Sequence, residues 1–249
     1  IDIQGEFPPL KEINRTIRRL NLSAYSPLKY VRMEKREEYS RKYDIQVRGG
    51  ISVFRQIDRE QNLIHLMRVN LLKRMESSIY SFSRTLEKLL DEVNGLLVRI
   101  GSYDSDAIEE IGIEDIEVDS PDFDDFLIGR KVRVLLKDID DIRWKQDLEE
   151  DRAKLVTLLS EARNVDAPRD AKLGRLKSVI TEKCRNPLNN SNKKVIVFTA
   201  FTDTADYIYA HIAGWAREEL GIHTARITGT GTNKSTIPDM GTHFDTLLA

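Results

Sequence analysis

One cysteine in 249 residues, Cys184, excludes an internal disulfide and leaves no thiolate cluster to hold a metal. The four histidines, His65, His211, His223 and His243, are scattered and lack the i, i+4 pairing of a zinc helix. No apolar run approaches the roughly 20 residues of a membrane helix. The opening IDIQGEFPPL has neither the basic nor the apolar region of a secretory signal. A cytoplasmic protein with no membrane partner is therefore expected. A Gly-x-Ser-x-Gly elbow, a DEAD or DEAH box and a phosphate-binding loop are also missing. The nearest approach to the last, GTGTNKS from Gly229 to Ser235, has Asn233 in place of the final glycine. Its first glycine also stands one residue too close to Lys234, and Pro238 follows where a helix is required. No catalytic residue, metal ligand or cofactor is expected of this chain by itself.

What is present is globular: 40% hydrophobic and 32% charged residues, enough chain for one large domain or two smaller ones. The net charge of −2 conceals a division along the chain. Lys and Arg exceed Asp and Glu by 19 to 13 over residues 1–100 and by 10 to 7 over 171–249, but trail by 10 to 21 over 101–170. Overall charge thus neither supports nor excludes a nucleic-acid partner. Residues 101–130 are acidic and without period, which predicts an irregular connection. Their carboxylates do not match the spacing of an EF-hand loop.

Leu10, Ile13, Ile17 and Leu20 step along one helical face after Pro8 and Pro9. Ser26 and Pro27 then read as N-cap and N1 of a second helix running to Tyr43. That segment mixes Lys29, Arg32, Lys35, Arg36, Arg41 and Lys42 with Tyr30, Tyr39 and Tyr43. It suits either a nucleic-acid backbone or a solvated face laced with ion pairs. Ile64, Met67, Leu71, Met75, Ile79, Phe82, Leu86 and Val93 predict one long helix from about Asp58 to Gly95, on the order of 50 Å in length. Lys73 and Arg74 fall on its polar side, where they either meet phosphates or pair locally, as Lys73 with Glu76. A further helix is expected from Arg133 to Ala162, with Leu135, Ile139 and Ile142 on one stripe and Trp144 as core anchor. Asp170 is placed to cap a helix ending at Cys184, whose thiol reads as a core group.

The most informative stretch runs from Lys193 to Gly229. Val195, Ile196, Val197 and Phe198 have the pattern of a strand buried on both faces. A helix follows, with Ala205, Ile208, Tyr209, Ile212 and Ala216 on one face, Thr202 or Asp203 as N-cap and Gly221 as the residue after its end. A second strand, His223 to Ile227, is expected beside the first through a parallel crossover. The loop from Ala200 to Asp206 would lie at a strand's carboxyl end and a helix's amino end, where ligands of open α/β sheets bind and phosphates are favoured. Thr199, Thr202 and Thr204 offer hydroxyls there, and Thr228, Gly229 and Thr230 occupy the equivalent edge. Ordinary helix capping accounts for the same residues equally well. The expected fold is a mostly α-helical region with a long helix over residues 1–190, followed by a partial α/β domain over 191–249.

KVIVFTAFTDTADYIYAHI resembles motif IV of the second RecA-like domain of helicase superfamily two, and specifically of bacterial Swi/Snf-like DNA-dependent ATPases. The resemblance extends through DREQNLIHLMRVNLLKRMESSIYSF, DIDDIRWKQDLEEDRAKL, DAKLGRLKSVITEKCRNPLN and GIHTARITG, most of the chain. It implies a parent protein that translocates along duplex DNA with two RecA-like lobes and with ATP and magnesium in the cleft between them. This chain has no Walker A, no Walker B box and no Gln-x-x-Gly-Arg-x-x-Arg motif. It is therefore expected to be a central fragment, inactive as an ATPase alone, with the remaining lobes of the parent as partners. Carried over by position, Thr199, Ala200, Phe201, Thr202, Thr228 and Gly229 would approach the DNA backbone. Lys73 and Arg74 join them as candidates, within a signature, LLKRMESS, whose role the resemblance does not explain. The competing expectation is a non-enzymatic module that docks a partner protein through the long helix and the acidic segment.

Overall fold

The computed structural model describes residues 1–46, 53–102, 110–112, 132–189, 192–229 and 232–238. Most of the expected acidic connection, 101–130, lies outside them, as do Thr230 and His243. The described residues form seven helices: α1 Leu10–Arg18, α2 Arg36–Tyr43, α3 Gln56–Ser77, α4 Ile79–Ser102, α5 Asp141–Arg163, α6 Ala171–Arg185 and α7 Thr202–Leu220. Three short antiparallel ladders accompany them: β1 Ile45–Gln46 with β2 Val53–Phe54, β3 Glu110–Gly112 with β4 Arg133–Leu135, and β5 Ala225–Arg226 with β6 Lys234–Ser235. The fold is thus mostly helical with few strands. The chain forms two compact units, one of residues 9–73 and 84–160, the other of residues 1–8, 74–83 and 161–249. The boundary expected near residue 190 falls inside the second of these.

In the unit of residues 9–73 and 84–160 the core is organised around Trp144 on α5, fully buried as expected. Its ring stacks on Tyr30 at 5.7 Å, and its Nε1–H donates to the Ser23 carbonyl at 2.9 Å. An indole buried this way gains a large apolar contact without stranding its one donor. Tyr30 donates to Asp147 at 2.6 Å, and Asp151 accepts from the Asn21 N–H, the Ser23 N–H and the Ser23 hydroxyl. Burial nonetheless pushes the Asp151 carboxyl up, because those three donors only partly replace water.

The segment after Ser26 is not one helix. Two 3-10 turns, Pro27–Tyr30 and Met33–Lys35, precede α2, and Val31 between them bridges to Ile139 in an extended pairing. The tyrosines of this segment are structural: Tyr30, Tyr39 and Tyr43 are buried, Tyr39 donating to Asp138 and Tyr43 to the Arg133 carbonyl. Of its cations, Lys35 pairs with Glu38 and Arg41 with Glu37 at helical spacing. Arg133–Leu135 is strand and Leu136–Asp138 a 3-10 turn, so the helix expected from Arg133 starts only at Asp141, and Ile142 is exposed.

The expected single helix from Asp58 to Gly95 is interrupted at Ser78. Its hydroxyl accepts from the N–H groups of Tyr80 at 3.1 Å and Ser81 at 3.4 Å, making Ser78 the N-cap of a new helix, α4. A serine pair gives the backbone a local alternative to the helical ladder, which the unbroken apolar stripe on either side hides.

In the unit of residues 1–8, 74–83 and 161–249, α6 and α7 share a core of Leu173, Ile180, Cys184, Tyr207, Ile212 and Ala216. Asp170 caps α6 by accepting from the Lys172 and Leu173 N–H groups, and Gly221 ends α7 in the left-handed conformation at φ 64°. Asp2 accepts from Arg169 and from three backbone N–H groups, which hold its carboxyl well below the usual range and tie the chain's first residues to α6's entry.

Glu60, in α3, is the energetic exception in the first unit. It is 2% exposed and neither carboxylate oxygen makes a hydrogen bond of ordinary geometry. Burial pushes its carboxyl well above the usual 4.5, with the Leu28 backbone pulling weakly the other way. A folded state that holds the proton more tightly than the unfolded chain is stabilised below that unfolded value and loses the contribution as pH rises. Urea unfolding should therefore show stability declining as pH rises above the unfolded value of about 4.5. Glu60→Gln should flatten that decline and add about 1–3 kcal/mol at the upper end; an unchanged pH profile would contradict this assignment.

Candidate functional site

The site grows from three short pieces of one unit: the α3–α4 break at residues 74–81, the loop at 199–204, and the β5–β6 hairpin. Arg74, in the last turn of α3, is 4% exposed. Its guanidinium lies over the Phe201 ring, 4.7 Å from the centroid, and its Nη1 donates to Asp203 Oδ2 at 2.8 Å. From the first turn of α4, the Ser81 hydroxyl donates to the other oxygen, Asp203 Oδ1, at 2.5 Å. Thr204 Oγ1 lies 2.6 Å from Ser81 Oγ and 3.0 Å from Ser77 Oγ, and Ser77 Oγ is 3.4 Å from Thr199 Oγ1. Below this cluster Tyr80 stacks on Tyr207 at 5.0 Å, and Tyr207 donates to Asp170, the cap of α6. A chain of side-chain contacts thus runs from the helix break through α7 to α6.

No family model, curated protein or solved structure matches this chain.

The expected residues are placed as follows. Thr199 and Ala200 are exposed, Thr202 is half-buried, and Phe201 is buried as a peg beneath Arg74. Thr228 is half-buried, with its N–H donating to Asn233, and Gly229 is exposed. The hairpin that carries them is fastened to α7 by an ion pair between buried Arg226 and Asp206. Arg74 faces inward, while Lys73 is exposed and belongs to the other unit. Neither expected N-cap, Thr202 or Asp203, occupies that position. Phe201 does so without a side-chain bond, and Asp203 turns instead to Arg74 and Ser81.

Two expectations about the surrounding sheet are corrected. Val195–Phe198 is not buried on both faces and carries no strand pairing among the described residues; Ile196 is 75% and Phe198 90% exposed. Nor does the second strand run parallel to it: β5 is two residues long and pairs antiparallel with β6, Ala225 opposite Ser235 and Arg226 opposite Lys234. The β-branched run records a preference for burial that no neighbouring strand here fulfils. Lys234, from the glycine-rich stretch, lies in β6 and not in a phosphate loop. Among the described residues no group of three or more His, Cys, Asp or Glu is arranged to hold a metal, and no helix is long and apolar enough to cross a membrane.

Asp203, Ser77, Ser81, Thr204, Asp206 and Arg226 were not singled out by sequence for the roles they take. One signal was available: along the apolar stripe Leu71, Met75, Ile79, Phe82, the adjacent positions 74, 77, 78 and 81 carry an arginine and three serines. A charged and hydroxylic seam beside a core stripe calls for polar partners.

Removing the guanidinium leaves Asp203 without its counter-charge. Arg74→Met, which keeps an apolar stem against Phe201, should lower unfolding free energy by about 2–4 kcal/mol in chemical denaturation. The same change at exposed Lys73 should stay within about 0.5 kcal/mol. Equal effects at the two positions would remove Arg74 from the core of the site.

Proposed function

We propose that this chain acts as the central part of an ATP-dependent DNA translocase of the Swi/Snf-like group, supplying contacts to the duplex backbone while ATP and magnesium are bound by other parts of the parent protein. The observation that carries it is the Thr199–Thr202 loop, exposed at Thr199 and Ala200 and half-buried at Thr202, held at the start of α7 on a charge-neutralised support. Asp203 in the first turn of a helix would ordinarily repel a phosphate. Its charge is compensated by Arg74, so the positive end of the helix dipole and the threonine hydroxyls are what a backbone phosphate meets. Thr228 and Gly229, on a hairpin pinned to the same helix by Arg226 and Asp206, offer a second contact.

The bare Val195–Phe198 segment agrees with the same proposal. A run this apolar is suited to the interior of a parallel sheet, and a RecA-like lobe would supply the missing neighbours. The competing docking module loses part of its basis, since the long helix it relied on is two helices.

Labelled duplex DNA titrated at low salt should bind weakly and release steeply as salt rises. Thr202→Ala together with Thr228→Ala should weaken binding by about threefold to tenfold. The chain alone should hydrolyse no ATP. Absence of binding, or binding indifferent to the double substitution, would overturn the proposed contact. DNA-stimulated hydrolysis by the chain alone would overturn the division of labour. A protein partner retained after nuclease treatment, with no DNA affinity, would favour the docking module.

A further inference from the structure

We infer that the α3–α4 break is the positioning element for the Thr199–Thr202 loop: Arg74, Ser77 and Ser81, acting through Asp203 and Thr204, fix where the loop presents its hydroxyls. This inference rests on the DNA-backbone reading for its functional meaning, but its physical content stands on the contacts alone. It also gives LLKRMESS a role, and gives Arg74 one different from the direct DNA contact expected of it.

Asp203 is held from both sides of the break, one oxygen by Arg74 before Ser78 and the other by Ser81 after it. Thr204 repeats the arrangement, contacting Ser77 before the break and Ser81 after it. Because Ser78 caps α4 separately, the two helix ends are distinct bodies whose relative placement is read by one carboxylate and one hydroxyl. A change in the break must displace Asp203 or leave a largely desolvated charge without its partner, and the second is the costlier outcome. Asp203 and Thr204 open α7, so the displacement passes to the residues immediately before them.

The upstream side of the loop is weakly anchored among the described residues, by a Cys184 Sγ contact to the Lys193 carbonyl at 3.9 Å. Residues 192–200 are exposed and outside any ladder, and Thr199 reaches only the Phe201 N–H and, at 3.4 Å, Ser77. Phe201 fixes the other end by its burial under the Arg74 guanidinium. Arg74 and Ser81 are themselves too buried to touch a nucleic acid. They act through the loop, as positioning residues.

Hydrogen exchange on the whole chain tests this directly. Asp203→Asn should speed exchange of the amides from Phe201 to Asp206 by at least about tenfold, while α6 keeps its protection. If α6 also loses protection the unit has unfolded, and Ser81→Ala, a smaller deletion, decides in its place by the same local readout. Unchanged exchange at residues 201–206 would overturn the inference. Duplex binding adds a readout that separates positioning from contact. Arg74→Met should weaken affinity severalfold with the salt slope unchanged, because the threonines it displaces from the phosphates are neutral. A slope reduced by about one would mean that Arg74 itself neutralises a phosphate, and would overturn the assignment. If the unaltered chain binds no duplex, the DNA reading fails, and the exchange result alone decides whether the break positions the loop.

Discussion

A single carboxylate, Asp203, is the point on which the site depends. It accepts from an arginine at the end of one helix and a serine at the start of the next, and it sits in the first turn of a third. Each of these groups is costly to bury alone. Arg74 without Asp203 would be a desolvated cation, and Asp203 without Arg74 would be an anion set beside Ser81 and Thr204 with no counter-charge. Together they are neutral, and Ser81 donates to the second carboxylate oxygen, so the pair costs far less to bury than either charge alone. Phe201 completes it by placing an aromatic face against the guanidinium.

The helices whose apolar stripes are regular were legible in the sequence. Asp170 as a cap, Gly221 as a stop, Trp144 as an anchor and Cys184 as a buried thiol follow from local chemistry and are where that chemistry puts them. Failures came where a local hydrogen bond or a distant partner decides. Ser78 ends a helix that hydrophobic spacing carries straight through, because spacing is blind to a hydroxyl that competes for backbone N–H groups. Arg133–Leu135 reads as the start of a helix and becomes a strand, because β3 is available to pair with it. Asp203 offers a helix cap by type and position, yet Arg74, 129 residues away in sequence, takes it instead. Of the candidate loop, sequence located the residues but not what holds them.

The same logic explains Val195–Phe198. Its composition calls for a buried strand and the structure leaves it bare, so sequence and fold disagree at the one place where the proposed function needs further strands. The polar cluster and the bare Val195–Phe198 segment are adjacent in sequence and opposite in character. The charges of one are paired within its own unit, and the apolar side chains of the other are left exposed. The loop is held by contacts within its own unit, while no strand pairs with Val195–Phe198 among the described residues.

The most direct test of this account is a double-mutant cycle on unfolding free energy using Arg74→Ala, Asp203→Ala and the pair together. If the two side chains form the neutral unit described, the double variant should cost less than the sum of the single ones, with a coupling energy of about 1.5–3 kcal/mol. A coupling below about 0.5 kcal/mol would mean that the two residues act independently, and would contradict the claim that Asp203 is where the helix break and the loop are joined.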